Sequence, residues 1–119
     1  MDRNRIGMDA EQRAEHWLCT QGLTLLQRNA RCRLGEIDLI MQDGEQIVFV
    51  EVRTRSGRAF GGAAASVDWR KQQKLIRAAR FMLSRNPHWS LYPCRFDVLA
   101  FEGDSERTPP VWYKDAFRP

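Results

Sequence analysis

A chain of 119 residues, 43% hydrophobic and 29% charged, is long enough to bury one core and fits one domain over residues 1–119. It has no low-complexity run, no internal repeat and no apolar stretch near the ~18 residues of a membrane span, which argues against disordered, solenoid and membrane-spanning classes. The net charge is +4 and 16 of the 19 basic residues are arginine; the guanidinium fork suits phosphate, but acidic residues are interspersed, so the pointer to nucleic acid is modest.

The N-terminal stretch MDRNRIGMDAEQRAEHW lacks the apolar core of a signal peptide. Cys19, Cys32 and Cys94 are odd in number and far apart, which fits free thiols in a reducing cytoplasm rather than a disulfide frame or zinc ribbon. Residues 8–21 are predicted to be a helix, with Ala10, Ala14, Trp17, Leu18 and Gln21 along one side and Gly22 as its stop. Glu11 and Glu15 stand one turn apart on a shared edge. A strand is expected over 24–32, then a bend at Leu34-Gly35.

Strands at 36–42 and 46–54 carry the clearest pattern. IVFVEV is β-branched and aromatic without alternation, as in a central strand covered on both faces. Asp43-Gly44 between them predicts a two-residue hairpin turn. Residues 55–66, rich in glycine and alanine, are expected to form a loop. Ser66 or Asp68 caps a second helix that runs to about Arg85 and ends at Asn86-Pro87. Its apolar side is Leu75, Ile76, Ala79, Met82 and Leu83, and its basic side is Arg70, Lys71, Lys74, Arg77 and Arg80. CRFDVLAF (94–101) is a further strand. A loop marked by Gly103-Asp104 and Pro109-Pro110 leads to a short closing strand, VWYKDAF. The order α-β-β-β-α-β-β implies an α/β layered fold.

Chemistry concentrates in GEIDLIMQDGEQIVFVEVRTR. Residues two apart share a strand face, so Glu36 pairs with Asp38 and Glu51 with Arg53. A turn centred on Asp43-Gly44 sets Asp38 opposite Phe49 and Glu36 opposite Glu51, with Asp38 diagonal to Glu51 at roughly 7 Å. A loop of even length keeps all four residues on one face; an odd one destroys the arrangement. Carboxylates so close repel, and two neutralisers are open: a divalent cation such as Mg²⁺ or Mn²⁺, or an arginine-bridged cluster in which Arg53 meets Glu51 or Glu36.

GEIDLI, FVEVRTR, GGAAAS, the K-x-x-K of Lys71 and Lys74, CRFDV and the terminal KDAF together resemble the YraN family over nearly the whole chain. That family is similar to Holliday-junction resolvases within the PD-(D/E)XK restriction-endonuclease-like superfamily. The resemblance implies a mixed β-sheet flanked by helices, with a metal site at the central hairpin. Asp38 matches the superfamily's aspartate, Glu51 the E of E-x-K, and Glu11 the glutamate of the first helix, with Glu15 the alternative. Asp38, Glu51 and the Val52 carbonyl would hold Mg²⁺ or Mn²⁺ for phosphodiester hydrolysis. Arg53 stands where the family of sites usually has lysine, and an arginine does not deprotonate in proteins; it can still position phosphate or stabilise charge. The implied partner is branched or structured DNA, with Arg70, Lys71 and Lys74 as phosphate contacts and a two-fold homodimer by analogy. A non-catalytic DNA-binding or DNA-processing adaptor with the same fold is the alternative.

Other residues read as structural. His16 has no second histidine at zinc spacing, and His88 follows Pro87. Gly61-Gly62 lacks the G-K-[ST] of a phosphate loop. The four tryptophans are expected to pack in the core or at its rim, and Arg95 and Asp97, on one strand face, are expected to form an ion pair.

Overall fold

The computed structural model describes residues 3–54, 67–102 and 108–119, with side chains from Ala10 onward in the first helix. The expected 55–66 loop and the Gly103-Asp104 turn lie outside the described residues. Helix α1 (Arg3–Thr20) leads into strands β1 (Thr24–Cys32), β2 (Gly35–Asp43) and β3 (Gln46–Thr54); helix α2 (Trp69–Arg85), strand β4 (Cys94–Phe101) and strand β5 (Val111–Phe117) follow. The expected order α-β-β-β-α-β-β is the one found, with a 3-10 turn at Trp89–Leu91 added among the described residues. The strands form one five-stranded sheet in the order β1-β2-β3-β4-β5. Only β3 and β4 run parallel, because α2 carries the chain back across the sheet between them.

The sheet is covered on both sides, which is why IVFVEV shows no polar alternation. Ala14 and Leu18 of α1 pack with Leu39, Met41, Val48, Val50 and Leu99. Leu75, Ile76, Ala79 and Met82 of α2 pack with Ile40, Ile47, Phe49 and Phe96 on the other face. Burying each of these larger side chains stabilises the fold by roughly 1.5–3 kcal/mol. Helix α2 begins as expected: Asp68 is the N-cap and its carboxylate accepts the Lys71 amide at 2.9 Å. Helix α1 starts five residues earlier than the sequence pattern indicated.

The hairpin differs from expectation in one respect. Gly44 and Glu45, rather than Asp43 and Gly44, form its turn, and Asp43 stands opposite Gln46. Gly44 takes φ +58° as the first central residue, where a type II′ turn needs glycine. The pairing therefore shifts by two residues, to Leu39 opposite Val50 and Ile40 opposite Phe49. Parity is preserved, but the expected pairs Asp38–Phe49 and Glu36–Glu51 do not form.

Beyond Leu39–Val50 the two central strands part. Glu36 and Ile37 continue against β1, opposite Arg31 and Ala30. Glu51 to Thr54 continue against β4. At the same place β2 loses its two-residue alternation: Ile37 joins the α2 core, whereas Leu39 joins the α1 core. On β1, the residue between Arg28 (opposite Leu39) and Ala30 (opposite Ile37) is Asn29, in the left-handed region at φ +48°. Asparagine tolerates that conformation better than most residues. Asp38 sits at this fork in the sheet.

Candidate functional site

Three elements bring acids to the fork. Glu51 lies on the α2 side of β3 and is 5% exposed. Asp38 reaches it from β2, and Asp38 Oδ2 accepts the Val52 amide at 2.8 Å. Glu11 comes from α1, and Asp38 lies within hydrogen-bonding reach of both Glu11 and Glu51. Burial and then the Asp38 charge push Glu51 up to about 8, against the opposing pull of Lys71 and Arg53. Burial, then Asp38 and Glu36, push Glu11 up to about 7, with Arg31 pulling it down. Glu11 and Glu51 thus hold their protons more tightly than ordinary glutamates.

Two cations meet Glu51. Arg53 Nη2 lies 2.9 Å from Glu51 Oε2, and Lys71 Nζ lies 3.5 Å from the same oxygen. Arg53 therefore meets Glu51 rather than Glu36. Arg53 Nε is buried without a hydrogen-bond acceptor among the described residues. A buried donor left in this way is a place for an anionic oxygen or a water. Among the described residues no group of three or more His, Cys, Asp and Glu is gathered to hold a metal ion. The donor chemistry nonetheless suits a hard cation, since all three groups are carboxyls and two of them are held above their ordinary range by burial and then by the Asp38 charge.

The remaining expected site residues divide. Glu15 is engaged elsewhere, by the Arg28 guanidinium, with Nη2 donating to Oε2 at 2.9 Å. Glu36 pairs with Arg31 across the β1–β2 ladder at 3.3 Å. Val52 stands at the site through its amide. Arg70 and Lys74 are exposed on α2, whereas Lys71 turns inward to Glu51. A role for Lys71 beside an acid was not visible from sequence, because the rotation of α2 about its axis is fixed by packing against the sheet. Arg31, which also bears on the cluster, was missed for the same reason: it is a strand-edge residue with no motif of its own.

Away from the fork, the ion pair expected on β4 is present and buried. Arg95 Nε donates to Asp97 Oδ1 at 3.0 Å, and its Nη1 donates to Gln46 at 2.6 Å. Asp97 also accepts Trp112 Nε1 and the Asp115 amide, each at 2.9 Å. An open cleft of about 450 Å³ lies near these residues, but Arg95 is paired with Asp97 and Asp43, and Arg118 with Asp115. Trp89 is buried, and Trp17 packs edge-on against Trp112. Trp69 departs from the packing expectation at 72% exposed, because it is the first residue of α2 and faces away from the sheet core. The cysteines are free, with Cys19 and Cys94 exposed and Cys32 half-buried. Among the described residues no helix is long and apolar enough to cross a membrane.

Residues 10–101 match the model of Uncharacterised protein family UPF0102. That span runs from the first helix through β4 and includes Glu11, Asp38, Glu51, Arg53 and Lys71. A UPF0102 protein of Alcanivorax borkumensis is 50% identical over 116 residues, covering 97% of this chain and 93% of that protein. UPF0102 protein PputGB1_4524 of Pseudomonas putida is 50% identical over 114 residues, covering 95% and 93%. A UPF0102 protein of Stutzerimonas stutzeri is 50% identical over 111 residues, covering 93% and 92%. On the length of the family match and the identity to these relatives, the chain belongs to UPF0102, the YraN family.

Proposed function

We propose that this protein binds DNA and hydrolyses its phosphodiester backbone at the fork between β2 and β3, with a divalent cation, and that its substrate is branched or structured. The observation that carries the reading is that Asp38 lies within hydrogen-bonding reach of Glu11 from α1 and of Glu51 from β3, with Arg53 and Lys71 at Glu51. Asp38 and Glu51 would hold Mg²⁺ or Mn²⁺, with the Val52 carbonyl as a further oxygen donor. The bound cation supplies an acidified water and neutralises charge on the phosphate. Arg53, already at Glu51 and part-exposed, offers its guanidinium to a phosphate oxygen. Lys71 adds a second positive charge, and Arg70 and Lys74 attract the backbone electrostatically. Raised carboxyl groups favour this role: a cation replaces the protons that Glu11 and Glu51 retain near neutral pH.

The experiment is Mn²⁺ titration calorimetry at pH 7.5, together with cleavage assays on linear, flapped and four-way DNA. Binding abolished by Asp38→Asn and by Glu51→Gln, with cleavage lost in both, supports the reading. No Mn²⁺ binding and no cleavage of any form would sink it. A branched substrate with two-fold symmetry calls for two copies of the chain; sedimentation with and without a four-way junction reads this.

One observation favours a second reading, that of a DNA-binding or DNA-processing adaptor without catalysis. Arg53 and Lys71 already occupy Glu51 Oε2, and Arg53 cannot serve as a base. DNA binding that persists unchanged in Asp38→Asn, with no cleavage by the wild type, selects this alternative.

A further inference from the structure

Helix α2 is built against its own electrostatics. It carries Arg70, Lys71, Lys74, Arg77, Arg80 and Arg85 and no acidic residue. Arg70 and Lys71 stand in its first turn, where the positive end of the helix dipole disfavours a cation. Arg70–Lys74, Lys74–Arg77 and Arg77–Arg80 are like charges three or four residues apart, and each such pair destabilises a helix. Several other cations of the chain are answered: Arg28, Arg31, Arg53, Arg95 and Arg118 each meet a carboxylate. Arg70, Lys74, Arg77 and Arg80 are exposed, and their side chains meet no acid among the described residues. An anionic partner would relieve that repulsion.

An aromatic surface lies on the same face. Trp69, Gln73, Arg77 and Arg80 follow one another at four-, four- and three-residue spacing, so they share one stripe about 16 Å long. Trp69 is 72% exposed and touches no other ring or cation among the described residues. Phe81, by contrast, already has the Arg85 guanidinium over its ring at 5.8 Å. Trp69 stands at the end of the helix from which Lys71 reaches Glu51, at 3.5 Å. The stripe therefore begins within a lysine's length of the fork.

These groups select their partner. A free indole face beside guanidinium groups suits unpaired bases and their phosphates, whereas the bases of a duplex are already stacked on one another. An anionic lipid surface calls for an apolar helix face to insert, and that face of α2 (Leu75, Ile76, Ala79 and Met82) is packed in the core. Resting on the nucleic-acid part of the reading above, but not on its metal or its cleavage, we propose that the outer face of α2 is a track for one single strand. Trp69 stacks an unpaired base, and Arg77 and Arg80 hold phosphates further along that strand.

The test measures binding of the full chain, in chelator, to a thymidine oligonucleotide, to an abasic strand of equal length and to a blunt duplex as salt is varied. Trp69→Ala weakens binding to the thymidine strand about 5-fold or more. It leaves the affinity for the abasic strand unchanged, and Trp69→Phe recovers most of the loss. Arg77→Gln/Arg80→Gln lowers the log–log slope for the thymidine strand by about 1.4, and Arg77→Lys/Arg80→Lys keeps it. Full affinity of Trp69→Ala for the thymidine strand, or an equal loss on the abasic strand, overturns the proposal while leaving nucleic-acid binding intact. So does an unchanged slope in the glutamine variant, or tighter wild-type binding to the duplex than to the thymidine strand. Wild-type protein that binds no nucleic acid removes the underlying reading as well. Trp69→Ala decides the matter if the double variant does not fold.

Discussion

Asp38 accepts the Val52 amide at 2.8 Å where the β2–β3 ladder has ended. The carboxylate thus bridges two strands that have begun to separate, and it carries its charge to within reach of Glu51.

The first prediction follows from that charge. Glu51 is raised from 4.5 to about 8, by burial and then by Asp38. A carboxyl group with a raised folded-state pKa binds its proton more tightly in the folded state. Its stabilising effect is full below the unfolded value of 4.5 and is lost as pH rises through about 8. Metal-free protein should lose stability across that window, on the order of 3–5 kcal/mol for a shift of this size. Asp38→Asn keeps an oxygen for the Val52 amide and removes the charge, so its stability should vary less with pH. Urea melts in chelator at pH 5 and pH 8.5 read the difference; equal slopes for the two proteins would refute the coupling.

Arg53 supports a second prediction. Its charge opposes the rise of the Glu51 pKa, after that of Lys71. Arg53→Ala should move the pH at which stability falls further upward, as followed by thermal melts in chelator. Arg53→Lys keeps the charge and adds a group able to release a proton. If the site hydrolyses phosphodiesters, Arg53→Lys should raise metal-dependent cleavage by about 10-fold or more. Cleavage that falls in Arg53→Lys would instead assign the guanidinium fork an irreplaceable phosphate contact.

The buried pair on β4 gives a third. Asp97 is 1% exposed and holds Arg95, Trp112 and the Asp115 amide. Asp97→Ala should cost about 3–5 kcal/mol, because it leaves a buried guanidinium without this partner. It should also loosen β5, whose Asp115 takes φ +52° at the point where its amide meets Asp97. Urea midpoints report the first effect, and amide exchange in residues 111–117 the second.

Asp68→Ala tests the start of α2. Loss of the cap on the Lys71 amide should cost about 1 kcal/mol. The same loss frays the turn that aims Lys71 at Glu51, so the pH at which stability falls should rise too. A stability loss with no change in that pH would separate the cap from the site.

Much of the fold was legible because local signals agreed with one another. IVFVEV announced a doubly covered central strand, and Ser66 or Asp68 announced the start of α2, with Asp68 the cap found. The hairpin was read one residue early, since Asp43-Gly44 is a strong turn pair; glycine's preference for the first central position drew the turn onto Gly44-Glu45. Asp38 and Glu51 were still brought together, because a shift of two residues conserves the strand face. What sequence could not give was the fork. Strand pairing that stops at Leu39–Val50 depends on Asn29, on the differing fates of Ile37 and Leu39, and on how both helices pack. The inward turn of Lys71 is equally a matter of tertiary placement.

The parting of β2 from β3 also bears on how the molecule breathes. Each unmade rung removes cross-strand cooperation at the place where the acids gather. Among the described residues, Glu51 to Thr54 pair with β4, and Glu36 and Ile37 with β1. The sheet therefore has a seam, and the β1–β2 leaf can swing against the β3–β4 leaf at less expense than either can unravel. An anion or cation entering from the end of the sheet would close that seam like a clasp. Ligand binding should then register first as slowed amide exchange along Val52–Thr54, well before any change in global melting.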